Sequence, residues 1–383
     1  MAWSFKLADF GGTSVRVHYT FLLLLAWLAA VFWLQQGPIA ALDGVLFIIL
    51  LFACVVLHEF GHIIAARRYG IETRDVTLLP IGGVAALDRM PEKPSQEIVV
   101  ALAGPAVNFA IVGILMLLFG AQLNLLAPQV SDVLGANLAS RLASVNLALA
   151  VFNLIPAFPM DGGRVLRALL GFTMSYQSAT QVAARVGQGL AIVLGFLGLF
   201  GNPLLVLIAI FIFLAAGAEA YSVSVRDFVR GRYASDVMIT EYESLDPTAD
   251  VTRGADLLLK TTQQEFPVVD GGGRLRGLLT RQSIIDALGA GGGSTPVLDV
   301  MTRDVPVRPA NASLEAIVKL LQEAAAPAVG IADADGRLVG YVTRENMAEF
   351  FMLRSAGLQA GGPKPPASPG KPLKEDADAL RQR

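Results

Sequence analysis

Long apolar runs alternate with short polar segments through the first 225 residues of the chain. Apolar runs of about twenty residues can cross a bilayer as helices. The chain has five such runs, and an irregular apolar stretch between residues 137 and 164 is a sixth apolar segment. The five runs cover residues 17–34, 41–66, 98–119, 186–200 and 204–222. The pattern predicts a polytopic α-helical membrane region with about six transmembrane helices.

Between residues 69 and 96 the pattern changes to strand composition. Residues 76–87 are rich in Val, Leu and Ala, and they are interrupted by Pro80 and by the pair Gly82 and Gly83. Such a segment predicts a short membrane-associated β hairpin or edge strand, and a plain re-entrant loop is the alternative. Because Gly lets a backbone approach closely, Gly82 and Gly83 are candidate substrate-binding residues.

From Tyr233 onward the sequence has the polarity of a soluble protein, and it repeats with an offset of 63 residues. Asp236-Val-Met238 recurs as Asp299-Val-Met301, and Gly277 to Arg281 recurs as Gly340 to Arg344. Each copy has the pattern helix, strand, Gly-rich turn, strand, helix. One copy of this size exposes an apolar face, so the two α/β copies should pack as a pair.

These patterns predict four parts in the chain. They are a membrane domain at residues 1–225, α/β domains at residues 233–289 and 296–352, and a disordered tail at residues 355–383 that is rich in Gly, Pro, Lys and Ala.

Composition and charge exclude several classes of protein. With 54% apolar and 16% charged residues, the chain is too apolar for a single soluble globule. Its net charge of -2 provides no basic surface for nucleic acid. The single cysteine, Cys54, excludes an intrachain disulfide and a cysteine-based zinc site. Lys and Arg concentrate in alternate loops, which predicts a multi-pass protein of the cell membrane with both termini in the cytoplasm.

The second apolar run contains His58-Glu59-Phe60-Gly61-His62, which holds two of the three histidines in the chain. Four residues apart on a helix, both rings leave one face and can bind the same Zn²⁺, while Glu59 is placed to act as a general base. Ionisable groups at membrane depth are costly, which indicates a function. The third histidine, His18, lies at the membrane edge outside this spacing.

A catalytic zinc ion takes three protein ligands, so one more is needed. The irregular stretch contains Asn153, Pro156, Pro159 and Asp161. The two prolines break the helix, and broken backbone at membrane depth requires protein or a wet cavity around it. Asp161 is the candidate third ligand, and the alternative is that it caps the helix that begins near Gly162.

Residues 1 to about 225 resemble the site-2 protease family of intramembrane zinc metalloproteases, through His58-Glu59-Phe60-Gly61-His62 and Asn153-x-x-Pro156-x-x-Pro159-x-Asp161-Gly162. The resemblance implies that His58, His62 and Asp161 bind one Zn²⁺ and that Glu59 activates water. It also implies that Asn153 helps to stabilise the oxyanion. Substrates in the family are single membrane spans, typically of anti-sigma factors or other membrane-tethered regulators.

Residues 233–352 resemble a tandem pair of CBS domains, which commonly bind adenine nucleotides and regulate the attached protein. The family places an acid on the ribose in Gly-h-h-Thr-x-x-Asp, and here Ser283 and Asn346 occupy those positions. The resemblance therefore leaves nucleotide binding open. Thr280 and Thr343 are the expected phosphate contacts, and Asn346 stands at the ribose position.

The sequence thus predicts a zinc-dependent intramembrane endopeptidase, regulated by nucleotide if the CBS pair binds one. Expected partners are the lipid bilayer, a single-span membrane substrate such as an anti-sigma factor, and a second copy of the chain in a homodimer through the CBS domains. Two alternatives remain: a CBS-gated transporter or channel, and an inactive homologue that binds membrane clients. The first alternative gives no reason for Glu59 between two histidines.

Overall fold

A computed structural model describes residues 3–80, 82–87, 90–123, 137–323 and 326–355. The chain forms two compact units, Met1–Ser224 and Val225–Arg383. Apart from Ser355, which ends a helix, the predicted disordered tail lies outside the described residues.

Seven helices are described in the first unit, and the last of them continues into the second. They are α1 Tyr19–Gln36, α2 Pro38–Arg67, α3 Pro94–Phe119, α4 Leu138–Asn153, α5 Asp161–Leu170, α6 Tyr176–Phe200 and α7 Pro203–Val229. Five of these helices, α1, α2, α3, α6 and α7, are long and apolar enough to cross a membrane. Helix α4 is apolar but has 16 residues, about 24 Å of helix, which is short for a hydrocarbon core of about 30 Å. The predicted polytopic α-helical membrane region is confirmed.

A four-stranded sheet accompanies these helices, where the sequence predicted only a hairpin. Its strands are β1 Ser4–Phe10, β2 Thr13–His18, β3 Thr73–Leu79 and β4 Gly82–Leu87, in that order across the sheet. Strands β3 and β4 form the predicted hairpin, with Leu78 opposite Gly83. Strand β2 pairs in parallel with β3, and among the described residues β4 has a strand neighbour on one side only.

The N-terminal hairpin was not predicted. Its signal was the pair Gly11 and Gly12, which adopt positive φ angles of 56° and 89° at the turn between β1 and β2. Strand β2 extends through His18, so the first helix begins at Tyr19 rather than at Val17. His18 caps that helix, because its side chain accepts a hydrogen bond from the Thr20 backbone N–H.

The second unit repeats its elements with the 63-residue offset of the sequence. The helices are α8 Val251–Lys260, α9 Arg281–Gly289, α10 Val297–Val300, α11 Leu314–Glu323 and α12 Arg344–Ser355; the strands are β5 Glu265–Val269, β6 Leu275–Thr280, β7 Val307–Pro309, β8 Ala328–Ala332 and β9 Leu338–Thr343. Each copy has its own apolar core, which includes Phe266 in the first and Val329 in the second. Ile239, near the start of the first copy, forms a β-bridge with Tyr341 of the second. The two copies therefore pack as a pair.

Candidate metal centre

The two motif histidines lie side by side on α2 and are buried. His58 is 6% exposed and His62 is 2% exposed. Their Nε2 atoms are 3.0 Å apart. The four-residue spacing on one helix thus brings both nitrogens to one point, as the sequence predicts.

Asp161 completes this cluster from the other side. Its Oδ2 atom lies 3.3 Å from Nε2 of His58 and 3.1 Å from Nε2 of His62. Asp161 is the first residue of α5, but the N-cap is Met160, and no side chain caps this helix. The geometry therefore favours Asp161 as a ligand over Asp161 as a helix cap.

The loop before α5 fixes the position of Asp161 at the start of that helix. A Cβ atom on Gly162 would lie 2.3 Å from the carbonyl oxygens of Leu154 and Ile155. Only Gly fits at that position, because the backbone of the broken segment folds back against the first turn of α5. The Pro-rich break thus holds Asp161 against the histidines.

The three ligand atoms have the spacing of a zinc site. Tetrahedral zinc with bonds of about 2.0–2.1 Å places its ligand atoms about 3.3 Å apart. The observed separations of 3.0, 3.1 and 3.3 Å describe one face of such a tetrahedron. Two imidazole nitrogens and one carboxylate oxygen, all from buried residues, are also a donor set that suits zinc. The residues present therefore fit a Zn²⁺ ion.

Helix α3 sets the orientation of the rings. Nδ1 of His62 lies 2.7 Å from the carbonyl oxygen of Val100, so it donates its proton there and leaves the Nε2 lone pair for a metal. Gly104, one turn further along α3, packs against both rings. A Cβ atom there would lie 2.2 Å from Nε2 of His62 and 2.7 Å from Cε1 of His58. Small residues in an apolar helix favour close packing, and the structure shows that the packing partner of Gly104 is the pair of histidine rings.

Glu59 is half-buried and follows His58 on α2. A Cβ atom on Gly83 would lie 3.2 Å from Cγ of Glu59, so strand β4 runs beside this carboxylate. Gly82 is adjacent on the same edge and pairs with Leu79. Asn153 is the last residue of α4, is half-buried, and makes no side-chain hydrogen bond to another described residue.

In the second unit, a cavity of about 520 Å³ lies beside two of the three residues predicted to bind nucleotide. Thr343 and Asn346 line it, whereas Thr280 is not among the lining residues. Thr343 and Asn346 bond reciprocally, each side chain accepting from the other's backbone N–H, and Thr280 caps α9. These bonds give all three side chains a structural role as well.

The cavity has an acidic lining. Five carboxylates face it, and none of the described residues that line it is Lys, Arg or His. The acids are Glu241, Glu243, Glu265, Glu345 and Glu349. Burial, and then repulsion from Glu345, raise the pKa of Glu265 to about 7. The composition of this lining disfavours polyphosphate.

Each of the two units matches a known protein family. Residues 46–132 and 128–194 match peptidase family M50, and residues 234–290 and 297–353 match the CBS domain. The zinc metalloprotease MJ0392 of Methanocaldococcus jannaschii is 36% identical over 273 residues, which is 71% of this chain and 77% of that protein. Stage IV sporulation protein FB of Bacillus subtilis is 29% identical over 191 residues, or 49% of this chain and 61% of that protein.

Among solved structures, the site-2 protease from Methanocaldococcus jannaschii is 35% identical, covering 57% of this chain and 95% of that one, with a TM-score of 0.42. The 36% identity to the zinc metalloprotease MJ0392, over 77% of that protein, establishes the family. The chain therefore belongs to peptidase family M50, the site-2 protease family of zinc metalloproteases, and carries a tandem pair of CBS domains.

Proposed function

We propose that this protein is an intramembrane endopeptidase that cuts transmembrane segments of membrane-tethered regulators, such as anti-sigma factors. The observation that carries the proposal is the buried triangle of His58, His62 and Asp161 atoms, with Glu59 beside it and Gly83 against Glu59. The three ligand atoms come from two apolar segments, so the peptide bond to be cut must reach membrane depth.

The chemistry follows from this arrangement. His58, His62 and Asp161 would hold a Zn²⁺ ion, which when bound would act as a Lewis acid on the scissile carbonyl and on water. Glu59 accepts a proton from the attacking water and returns it to the leaving amine. Asn153 donates its amide N–H to the oxyanion of the tetrahedral intermediate, as the family resemblance implies.

The substrate must be extended before it can be cut. A transmembrane helix hides its carbonyls in hydrogen bonds, and an extended segment at membrane depth needs other partners for them. Strand β4 offers an edge, and Gly83 brings that edge to Glu59. We propose that the substrate adds a strand beside Gly82 and Gly83 and that its scissile bond thereby faces the metal.

Cleavage of two matched substrates by the purified full-length protein tests this function. The first is a tagged single-span protein with Gly and Pro near the scissile bond, and in the second Ala and Leu replace those residues. We expect zinc-dependent cleavage of the first, and slower cleavage of the second by about 10-fold or more, because each unwound helical residue costs energy. A chelator should stop both reactions, and added zinc should restore them.

Equal rates on the two substrates would overturn pairing with β4 while leaving the peptidase in place. Failure to cut any single-span substrate, with zinc bound and the protein folded, would overturn the proposed substrate class.

We propose that both termini and the CBS pair are cytoplasmic. This orientation is supported by Arg67 and Arg68 at the end of α2, by Arg226 in the last turn of α7 and by Arg230 just after it. Arg167 is buried within the protein and gives no such support. A reporter fused at the C terminus should be open to protease from the cytoplasmic side of membrane vesicles, and protection there would reverse the orientation.

For the CBS pair we propose an adenine compound as the regulatory ligand, bound in the cavity beside Thr343 and Asn346. Because five carboxylates line this cavity, we expect affinity to fall from adenosine to AMP to Mg²⁺-free ATP in calorimetry on the full-length protein.

AMP should bind about 3- to 10-fold more tightly at pH 6 than at pH 8. The pKa of Glu265 is raised to about 7, so its carboxyl is mostly neutral at pH 6 and mostly negative at pH 8, where it repels the phosphate. In the Glu265→Gln variant, the part of the pH dependence due to this group should disappear, which separates it from the titration of the phosphate. Tightest binding by Mg²⁺-free ATP, or no heat with any adenine compound, would contradict the proposal.

A further inference from the structure

A buried ion-pair network joins the helix of the third zinc ligand to two other helices. Arg167, on α5, is 1% exposed. Its Nε and Nη2 atoms lie 2.7 Å from Oε1 of Glu97 on α3, and its Nη1 atom lies 2.8 Å from Oε1 of Glu219 on α7. The guanidinium also stacks over the rings of Tyr176 and Phe158, at 4.7 and 5.0 Å. One side chain thus fixes three helices.

Both helices joined by the pair of Arg167 and Glu97 contact the metal site. Helix α5 begins with Asp161, six residues or about 9 Å before Arg167. On α3, Glu97 stands one turn before Val100, whose carbonyl oxygen holds the ring of His62. The pair therefore spans the gap between the support of the carboxylate ligand and the support of the histidines.

Stability alone does not explain this arrangement. A buried ion pair loses hydration, and replacing both partners with neutral groups of similar size is often neutral or stabilising. What the planar fork of Arg provides is geometry, because it donates to two acceptors in fixed directions. Lys would provide the charge without those directions.

We infer that Arg167 is a positioning residue, which through Glu97 sets the distance between Asp161 and the two histidines and thereby tunes zinc affinity. This inference rests on the proposed zinc site. Arg167 does not touch the metal or the substrate; it acts through the placement of α5.

The test is zinc affinity of the purified full-length protein, measured by competition with a chelating dye beside thermal unfolding and cleavage. The double variant Arg167→Met, Glu97→Gln removes the two most deeply buried charges of the network and leaves only Glu219, whose side chain is 38% exposed, so it should unfold within a few degrees of wild type. We expect its zinc affinity to fall by about 10- to 100-fold, the usual effect of losing a support for a ligand. The rate at saturating substrate should fall while KM stays unchanged. Arg167→Lys should lie between the two.

The matched control is the pair of Arg141 and Asp43, a second ion pair with a buried arginine, in which Arg141 is on α4 and 4% exposed. Arg141→Met with Asp43→Asn should leave zinc affinity at the wild-type value. Unchanged affinity in the folded Arg167 variant, or an equal loss in the control, would overturn the inference. If wild type itself binds no zinc, the proposed site fails instead, so the two failures can be told apart.

Discussion

Replacing Glu59 with Gln is expected to abolish cleavage while zinc stays bound. Gln has the shape of Glu and fits the same space beside Gly83, but it cannot accept the proton of the attacking water. Loss of a general base typically costs about 10²- to 10⁴-fold in rate. His58, His62 and Asp161 remain in place in this variant, so its zinc content should equal that of wild type.

Two further variants make this result specific. Asp161→Ala removes one of the three ligand atoms and should lose both zinc and cleavage. Glu72→Gln changes an exposed glutamate of the same unit and should behave as wild type. If Glu59→Gln cuts at the wild-type rate, Glu59 is not the base; if wild type and Glu59→Gln both hold zinc and neither cuts, the inactive homologue is the better explanation.

The cluster of three candidate metal ligands could be predicted from the sequence because its constraints are local or chemical. His58 and His62 are linked by the pitch of one helix, which any helical context preserves. Asp161 is 99 residues from His62, yet few acids lie in apolar segments and two prolines mark the break before it. The CBS repeat was equally visible, because an offset of 63 residues appears in the sequence before any contact is known.

The supports of the site could not be predicted, because they depend on which helices meet. In the sequence, Arg167 is one of the Lys and Arg residues that concentrate between the apolar runs, whereas the structure buries it against Glu97, 70 residues away. A small residue such as Gly104 in an apolar run favours close helix packing, but the sequence does not identify the packing partner. The strands before the first helix were missed because β2 is short and completes its pairing with β3, some 60 residues later.

Replacing Gly104 with Ala adds one methyl group, which is expected to displace the histidine rings and to cause loss of zinc from the site. The added Cβ atom would lie 2.2 Å from Nε2 of His62 and 2.7 Å from Cε1 of His58, distances that no packed structure allows. The ring of His62 cannot rotate freely, because its Nδ1 atom donates a hydrogen bond to the carbonyl oxygen of Val100. Helix α3 is also pressed against α2, since a Cβ atom on Gly61 would lie 2.7 Å from the carbonyl oxygen of Ala103.

Either the rings rotate or the helices separate, and both changes open the triangle of ligand atoms. Loss of a single supporting contact typically lowers metal affinity by about 10- to 100-fold. We expect zinc affinity to fall by more than this in Gly104→Ala, and cleavage to fall with it. Gly113→Ala is the matched control, because Gly113 lies on the same helix with nothing within 4 Å of its added Cβ atom. That change should retain zinc and add about 0.5–1 kcal/mol of helix stability. Wild-type zinc affinity in a folded Gly104→Ala protein would show that α3 does not support the histidines, and would move the origin of their geometry to α2 alone.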